Sequence, residues 1–305
     1  MNATLKDYFV LHFIVLIWGF TAILGLLIEL PALELVFYRT LIASLGVAFL
    51  FLLRKESLLI PTPAMLKIVT TGFVIALHWI FFFWSARVST ASVCLAGMAT
   101  TSLWTAFVEP LINRTKVKWY EVGLGMLVIS GLLVIFSFEA GYWLGLSMAL
   151  VSALLSAVFS TINGQLTKQH SPYQITFYEM AGACLFTLLF MPIYYQVVEG
   201  GQAIQWTWAG NDWFWLFLLG GVCTVYAFSV SVELMKRLSV FTINLTINLE
   251  PVYGIVLAVL IFGERERMTP EFYLGTAIIL VSVLAYPVFN FWNKKKKLST
   301  ENQIG

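Results

Sequence analysis

Ten hydrophobic runs of about 18–25 residues, joined by short connections, leave this chain one habitat, because about 20 apolar residues in a helix cross a bilayer core of about 30 Å. Lipid offers no partner to backbone N–H and C=O groups, so runs of this length are read as helices. The spans are expected at 8–28, 35–53, 66–86, 91–112, 119–138, 142–166, 174–197, 213–235, 241–262 and 271–292. Of the 305 residues, 60% are hydrophobic and 11% charged, against about a quarter charged in soluble domains. The longest connection, Glu199 to Asp212, is too small to hold a core, so no catalytic domain outside the membrane is expected. A single basic residue, Lys6, precedes the first run and no small-residue cleavage site follows it. That run is therefore read as the first span and not as a removed signal peptide. Cys94, Cys184 and Cys223 lie singly in three spans, which gives no metal-ligand spacing and no disulfide framework. No metal and no cofactor are expected.

The basic residues fall in alternate connections. Lys6 stands at the N-terminus, Arg54, Lys55 and Lys67 in the second connection, Arg114, Lys116 and Lys118 in the fourth. Lys168 follows in the sixth, Lys236 and Arg237 in the eighth, and Lys294 to Lys297 at the C-terminus. These are 14 of the 18. Arg87, Arg265 and Arg267 occupy odd connections, and Arg39 lies within a span. By the positive-inside rule both termini are expected in the cytoplasm, here of a bacterial inner membrane. The net charge of +2 and a basic run placed beyond the last span point to anionic lipid, not to nucleic acid.

The two halves resemble one another. Phe37-Tyr38-Arg39 recurs as Phe177-Tyr178-Glu179 at an offset of 140. Trp104 pairs with Tyr253 and Ser102 with Pro251 at 149, and Gly123 and Ser130 pair with Gly275 and Ser282 at 152. Growing offsets are what insertions in the later connections would give. Five spans per half, an odd number, force the second half to enter from the opposite face. The fold class expected is an all-α polytopic membrane protein of ten helices in two inverted five-helix repeats, 1–139 and 140–305. A solute site is then expected at their interface. Glu109-Pro110 and Glu250-Pro251 look like copies, but the 149 offset sets Glu109 opposite Ala258 and Glu250 opposite Thr101.

Trp18-Gly19 in the first span, Arg39 in the second, and Thr246-Ile-Asn-Leu-Glu-Pro-Val-Tyr-Gly254 closing in Gly263-Glu264-Arg265 in the ninth resemble the EamA family of the drug/metabolite transporter superfamily. The resemblance covers roughly 8–290. It implies a ten-helix permease with a central cavity and both termini inside, moving small organic metabolites, often outward. Ser102 stands where the family often carries proline in both halves, which implies halves that do not move alike.

Ionisable residues at membrane depth cost a few kcal/mol, so they face a cavity or a partner. Glu250, near the middle of the ninth span, follows Thr242 and Thr246 at i+8 and i+4 on one face. Pro251 should kink that helix and free a carbonyl. Glu250 is read either as a proton or cation site beside a solute, or as a carboxyl that holds the kink. Asn244 and Asn248 on another face suit solute contact or interhelical hydrogen bonds. His78, on a stripe with Thr71 and Ser85, suits proton exchange or a single structural bond. Trp79 and Trp84 beside it wall a cavity or fill space, and Trp18, Trp104 and Tyr253 join the candidate solute contacts. Arg39 and Glu179, opposite charges at repeat-related places near opposite faces, are gating candidates with Pro251, unless they snorkel to the interfaces. Glu109 with Arg114, and Glu233 with Lys236, read as solvated interface pairs. The small-residue ladder Ser152, Ser156, Ser160 and Gly164 invites close packing of the sixth span.

No Walker loop, His-Glu-x-x-His, Gly-x-Ser-x-Gly or paired-aspartate motif occurs, which argues against ATP-driven pumping, zinc proteolysis and serine hydrolysis. The chain is not expected to be an enzyme. A secondary carrier working by alternating access is the reading, with a membrane scaffold or receptor-like protein as the alternative. Aromatic-rich spans with few fixed charges suit export of amino acids or related neutral or zwitterionic solutes. The expected partners are that small molecule and the lipid bilayer; proton coupling and a homodimer are left open.

Overall fold

A computed structural model describes residues 3–138, 140–197, 204, 206–247, 249–266, 268–282, 284–285 and 289. Ten apolar helices run through the described residues: α1 (Leu5–Leu27), α2 (Ala32–Arg54), α3 (Thr62–Val88), α4 (Ala91–Asn113), α5 (Trp119–Phe138), α6 (Trp143–Leu166), α7 (Pro172–Val197), α8 (Asp212–Leu234), α9 (Val240–Phe262) and α10 (Pro270–Ser282). By length and composition, all but α5 and α10 are long and apolar enough to cross a membrane, and these two carry shorter apolar stretches, Trp119–Ile135 and Pro270–Ser282. The protein is an all-α polytopic membrane protein. Leu52, Leu111 and Leu260, each at least 75% exposed, mark the outside of a bundle whose solvent is lipid.

Local chemistry sets the ends. Thr4 and Asp7 close a capping box at the start of α1, which satisfies two orphan N–H groups. The Thr90 hydroxyl accepts from Val93 N–H at the start of α4. Lys55 and Arg114 terminate α2 and α4 in the left-handed region, φ 54° and 53°.

The middle of the bundle is α3 packed on α6 and α7, with α2 on α7 and α8, α1 on α8 and α9, and α4 on α6 and α9. Glycine permits the closest crossings. A Cβ on Gly72 of α3 would meet the Glu179 carbonyl and lie 2.9 Å from Ala183 N on α7. One on Gly220 of α8 would lie 3.2 Å from the Arg39 carbonyl on α2. Of the small-residue ladder of α6, Gly164 lies against Val240 of α9, and one turn before the ladder Ala149 lies against Gly97 of α4.

Four helices are interrupted among the described residues. The first, α1, stops at Gly19 and resumes at Thr21; α4 stops at Met98 and resumes at Thr101; α9 stops at Ile247 and resumes at Glu250. All four ends within α4 correspond to those within α9 at an offset of 149. In α8, Leu218–Tyr226 is wound as a π-helix, a form that tends to mark functional sites.

The break in α9 corrects two expectations. Glu250 opens a new helix with Pro251 at its N-terminus, a place where a missing N–H costs nothing. Pro251 therefore starts a helix and does not kink a continuous one, and Thr242, Thr246 and Glu250 share no unbroken face. The same break occurs in α4 with Ser102 in place of proline.

Candidate functional site

Among α1, α2, α3, α4, α6, α8 and α9 lies a cavity with about 680 Å³ of space, its open mouth included. Aromatic rings form much of its wall. Phe159 of α6 is 5.3 Å from the His78 ring and 6.1 Å from Phe228 of α8, and Phe228 is 6.2 Å from Trp79 of α3. Trp18 joins them, its indole N–H donating to the Cys223 carbonyl at 3.0 Å. That carbonyl belongs to the π-wound stretch, where the wider turn changes which backbone groups face inward.

Among the described residues, one arginine and one glutamate face this space. Arg39 of α2 is 3% exposed. Its guanidinium lies 3.8 Å from the centre of the Trp79 ring, a desolvated cation–π contact. Its Nε donates to Thr224 Oγ1 at 2.9 Å, and Thr224 in turn donates to the Leu219 carbonyl five residues back. Glu250 of α9 is 6% exposed. Thr21 of α1 lies 3.5 Å from its Oε1 but 2.7 Å from the Trp18 carbonyl, so the one hydroxyl proton serves Trp18 and leaves Glu250 with little. The ion pairs among the described residues all lie elsewhere: Lys118 with Glu121, Lys236 with Glu233, and Arg237 with Asp7 and Glu233. Arg39 and Glu250 thus share a cavity without forming a pair.

His78 is bound to α6. Its Nδ1 is 2.9 Å from the Ser152 carbonyl, while Ser152 Oγ donates to the His78 carbonyl at 2.8 Å. This network assigns the proton to Nδ1 and leaves Nε2 as the acceptor. Asn244 of α9 donates to Thr105 Oγ1 and to Ser160 Oγ, both at 2.8 Å, and ties α4, α6 and α9 at the cavity wall.

Of the residues singled out from sequence, Trp18, Arg39, His78, Trp79, Asn244 and Glu250 line the cavity. Thr246, Trp104, Tyr253, Glu179 and Pro251 do not. Thr246 donates to the carbonyl of Thr242, Tyr253 packs beside Gly19 of α1, and Trp104 packs against the main core, its indole nitrogen buried without a partner. Asn248 lies outside the described residues, as do Lys294 to Lys297. Arg39 and Glu179 are both sealed inside the bundle, at 3% and 0% exposure, so neither snorkels to an interface. Glu179 stands behind the wall, where Asn163 Nδ2, itself lining the cavity, donates to its Oε2 at 3.3 Å. Glu233 pairs with Lys236 as expected and also with Arg237, whereas no ion pair among the described residues joins Glu109 to Arg114. Sequence reasoning missed Thr21, Phe159, Asn163 and Phe228. Asn163 was detectable as one of two primary amides in α6, Gln165 being the other, but the phenylalanines carry no signal that separates cavity wall from lipid face.

The cavity reaches toward the end of the bundle where α6 and α8 finish, for Asn163, Ser231 and Met235 line it. At the other end, Arg87 of α3 holds the carbonyls of Gly25, Ile28 and Leu30. There Asp212 Oδ1 accepts from Glu29 N–H at 2.9 Å, and Tyr195 donates to Glu34. These bonds latch α1, α2, α3, α7 and α8 together. Among the described residues no group of three His, Cys, Asp or Glu is placed to hold a metal.

The EamA-like transporter family matches residues 6–137 and again 143–286. The chain belongs to this family. It is therefore a membrane transporter of the drug/metabolite superfamily and not an enzyme, and the family decides against a scaffold or receptor. It is similar to "Uncharacterized transporter YxxF" of Bacillus subtilis (strain 168), 24% identical over 83% of this chain and 79% of the relative. An "Uncharacterized transporter" of Archaeoglobus fulgidus is 27% identical over 62% of this chain and 66% of that protein. A solved crystal structure aligns with a TM-score of 0.68 at 16% identity, over 91% of this chain and 96% of its own, a likeness of fold.

Proposed function

We propose that the protein is a secondary carrier that exports small neutral or zwitterionic solutes, amino acids first among them, by alternating access. One observation carries this reading: an arginine and a glutamate face one aromatic-walled cavity without pairing. Unpaired opposite charges held out of water are costly. A zwitterion relieves both, its carboxylate on the Arg39 guanidinium and its ammonium on Glu250, and the aromatic wall takes an apolar side chain. A polyanion finds one cation here and a repelling carboxylate.

The inverted five-helix repeats, 1–139 and 140–305, are part of the proposal. They are supported by the matched breaks in α4 and α9, by the two glycine crossings, and by a family match that occurs once in each half. With both termini in the cytoplasm, the cavity opens toward the side bearing Lys168, Lys236 and Arg237, the loading side for an exporter.

Counterflow in proteoliposomes tests the substrate. Vesicles loaded with unlabelled L-leucine should take up labelled L-leucine transiently and saturably. Absence of counterflow with leucine and with other neutral amino acids sinks the amino-acid reading.

A further inference from the structure

Neither solute contact nor packing accounts for the buried Glu179–Asn163 pair. Glu179 is 0% exposed, and after the one bond from Asn163 Nδ2 two acceptors of the pair stay bare: Glu179 Oε1 and Asn163 Oδ1, both sealed from solvent. Buried polar atoms in native proteins find partners, so bare ones point to a missing atom.

Among the described residues, that atom is not supplied by a neighbouring charge. On α2, Arg39 is turned to Thr224 and Trp79, Tyr38 to the Trp206 carbonyl, and Glu34 is bound by Tyr195. On α3, His78 is held by Ser152, Arg87 by the carbonyls that follow α1, and Lys67 is exposed. On α8, Glu233 pairs with Lys236 and Arg237, Cys223 packs in the core, and Ser229 donates to Thr176 on α7. On α7 itself, Tyr178 donates to the Leu58 carbonyl. The α6 helix carries no ionisable side chain.

A carboxylic acid and a primary amide close into a ring of two hydrogen bonds, amide N–H to one carboxyl oxygen and carboxyl O–H to the amide oxygen. One of these bonds is present. A single proton on Glu179 Oε1, donated to Asn163 Oδ1, makes the other and satisfies both bare acceptors together.

We propose that Glu179 is a proton site of the carrier, latched by Asn163, and that the solute exchanges against this proton. Asn163 reaches the cavity on its other side. When the amide turns toward an arriving solute, the Glu179 O–H loses its acceptor, the proton passes to water in the cavity mouth, and a carboxylate remains. The reverse step on the opposite side of the membrane reloads it, so solute leaves as a proton enters. The coupling rests on the carrier reading above; the proton itself does not.

Infrared spectroscopy of the full chain in liposomes, with no solute added, tests the site. At neutral pH the wild type should show a C=O stretch of a protonated carboxyl that is lost in Glu179→Gln and kept in Glu250→Gln. Asn163→Ala should keep its amplitude and move it to the higher frequency of an unbonded carboxyl, which decides the matter should the glutamine variant fail to fold. A band that survives Glu179→Gln, or does not move in Asn163→Ala, overturns the proposal. For coupling, L-leucine is the probe. A pH step of about one unit supports about a tenfold solute gradient in a one-proton carrier, and the ratio of driven to exchange uptake should fall by that factor in Glu179→Gln. An unchanged ratio overturns the coupling. A wild type that does not carry leucine sinks the amino-acid reading and leaves the infrared result to stand alone.

Discussion

Glu250 sits where a helix begins, and that fixes what it can do. The first turn of a helix presents unpaired N–H groups and a partial positive charge, which favour a carboxylate. The residue before it is a turn and the residue after it a proline, so the side chain is carried on a rigid start. Removing its charge should weaken solute binding in every mode of transport. In Glu250→Gln, counterflow of L-leucine should fall about tenfold or more, the worth of one charge-assisted hydrogen bond of about 1.5–3 kcal/mol. Driven uptake should fall with it, which sets this variant apart from Glu179→Gln. Equal loss in both variants would merge the two roles. Arg39→Lys keeps the charge but not the planar stack on Trp79 or the fork that grips a carboxylate; its half-saturation concentration should rise several-fold. An unaltered value would assign the guanidinium a packing role.

Pro251 and the glycine crossings belong to the scale of the element. Because α9 is already broken ahead of Pro251, Pro251→Ala should cost less than about 1 kcal/mol in stability and leave counterflow near wild type, as expected for a first-turn proline. A collapse of transport with unchanged stability would restore the kink. Gly72→Val and Gly220→Val should each destabilise by about 1–3 kcal/mol or more, since the α7 backbone occupies the place of the new side chain at Gly72, and the Ile42 side chain and the Arg39 carbonyl crowd it at Gly220. Thermal unfolding in detergent reads this, and an unchanged midpoint would mean the helices separate at no cost. Elements were the most legible part of the chain. The apolar runs placed nine spans to within a few residues, and the tenth as far as it is described, because a bilayer allows little else. The break in α9 was misplaced because proline marks both kinks and starts, and the π-wound turn of α8 leaves no trace in Leu218–Tyr226 beyond two glycines.

At the scale of the whole molecule the six cavity residues read from sequence were those whose polarity or aromatic size is conspicuous in an apolar span. Thr246 lies off the cavity because its placement assumed an unbroken α9, Tyr253 was placed by its pairing with Trp104 and packs beside Gly19 instead, and Glu179 was assigned to a face of the membrane when it stands behind the cavity wall. Burial between helices is a tertiary fact that spacing along one helix cannot supply. The orientation is open to a direct check: a cysteine at position 116 should react with an impermeant reagent only after cells are permeabilised, and one at position 208 from outside. The opposite pattern would turn the carrier over. Arg87→Gln should release the latch at the far end and raise labelling of a cysteine at position 28 several-fold, whereas unchanged labelling would place the seal elsewhere. Under the proposed alternating access, the crossings at Gly72 and Gly220 have a mechanical consequence. Each would be a fulcrum, with one hydrogen where a side chain would interlock, backbone resting on backbone at Gly72 and the Ile42 side chain and Arg39 carbonyl closing on Gly220. A stiff beam on a fulcrum swings its two ends in opposite senses, so the stroke that parts one end of the bundle draws the other together, and the two sides of the membrane need no messenger between them.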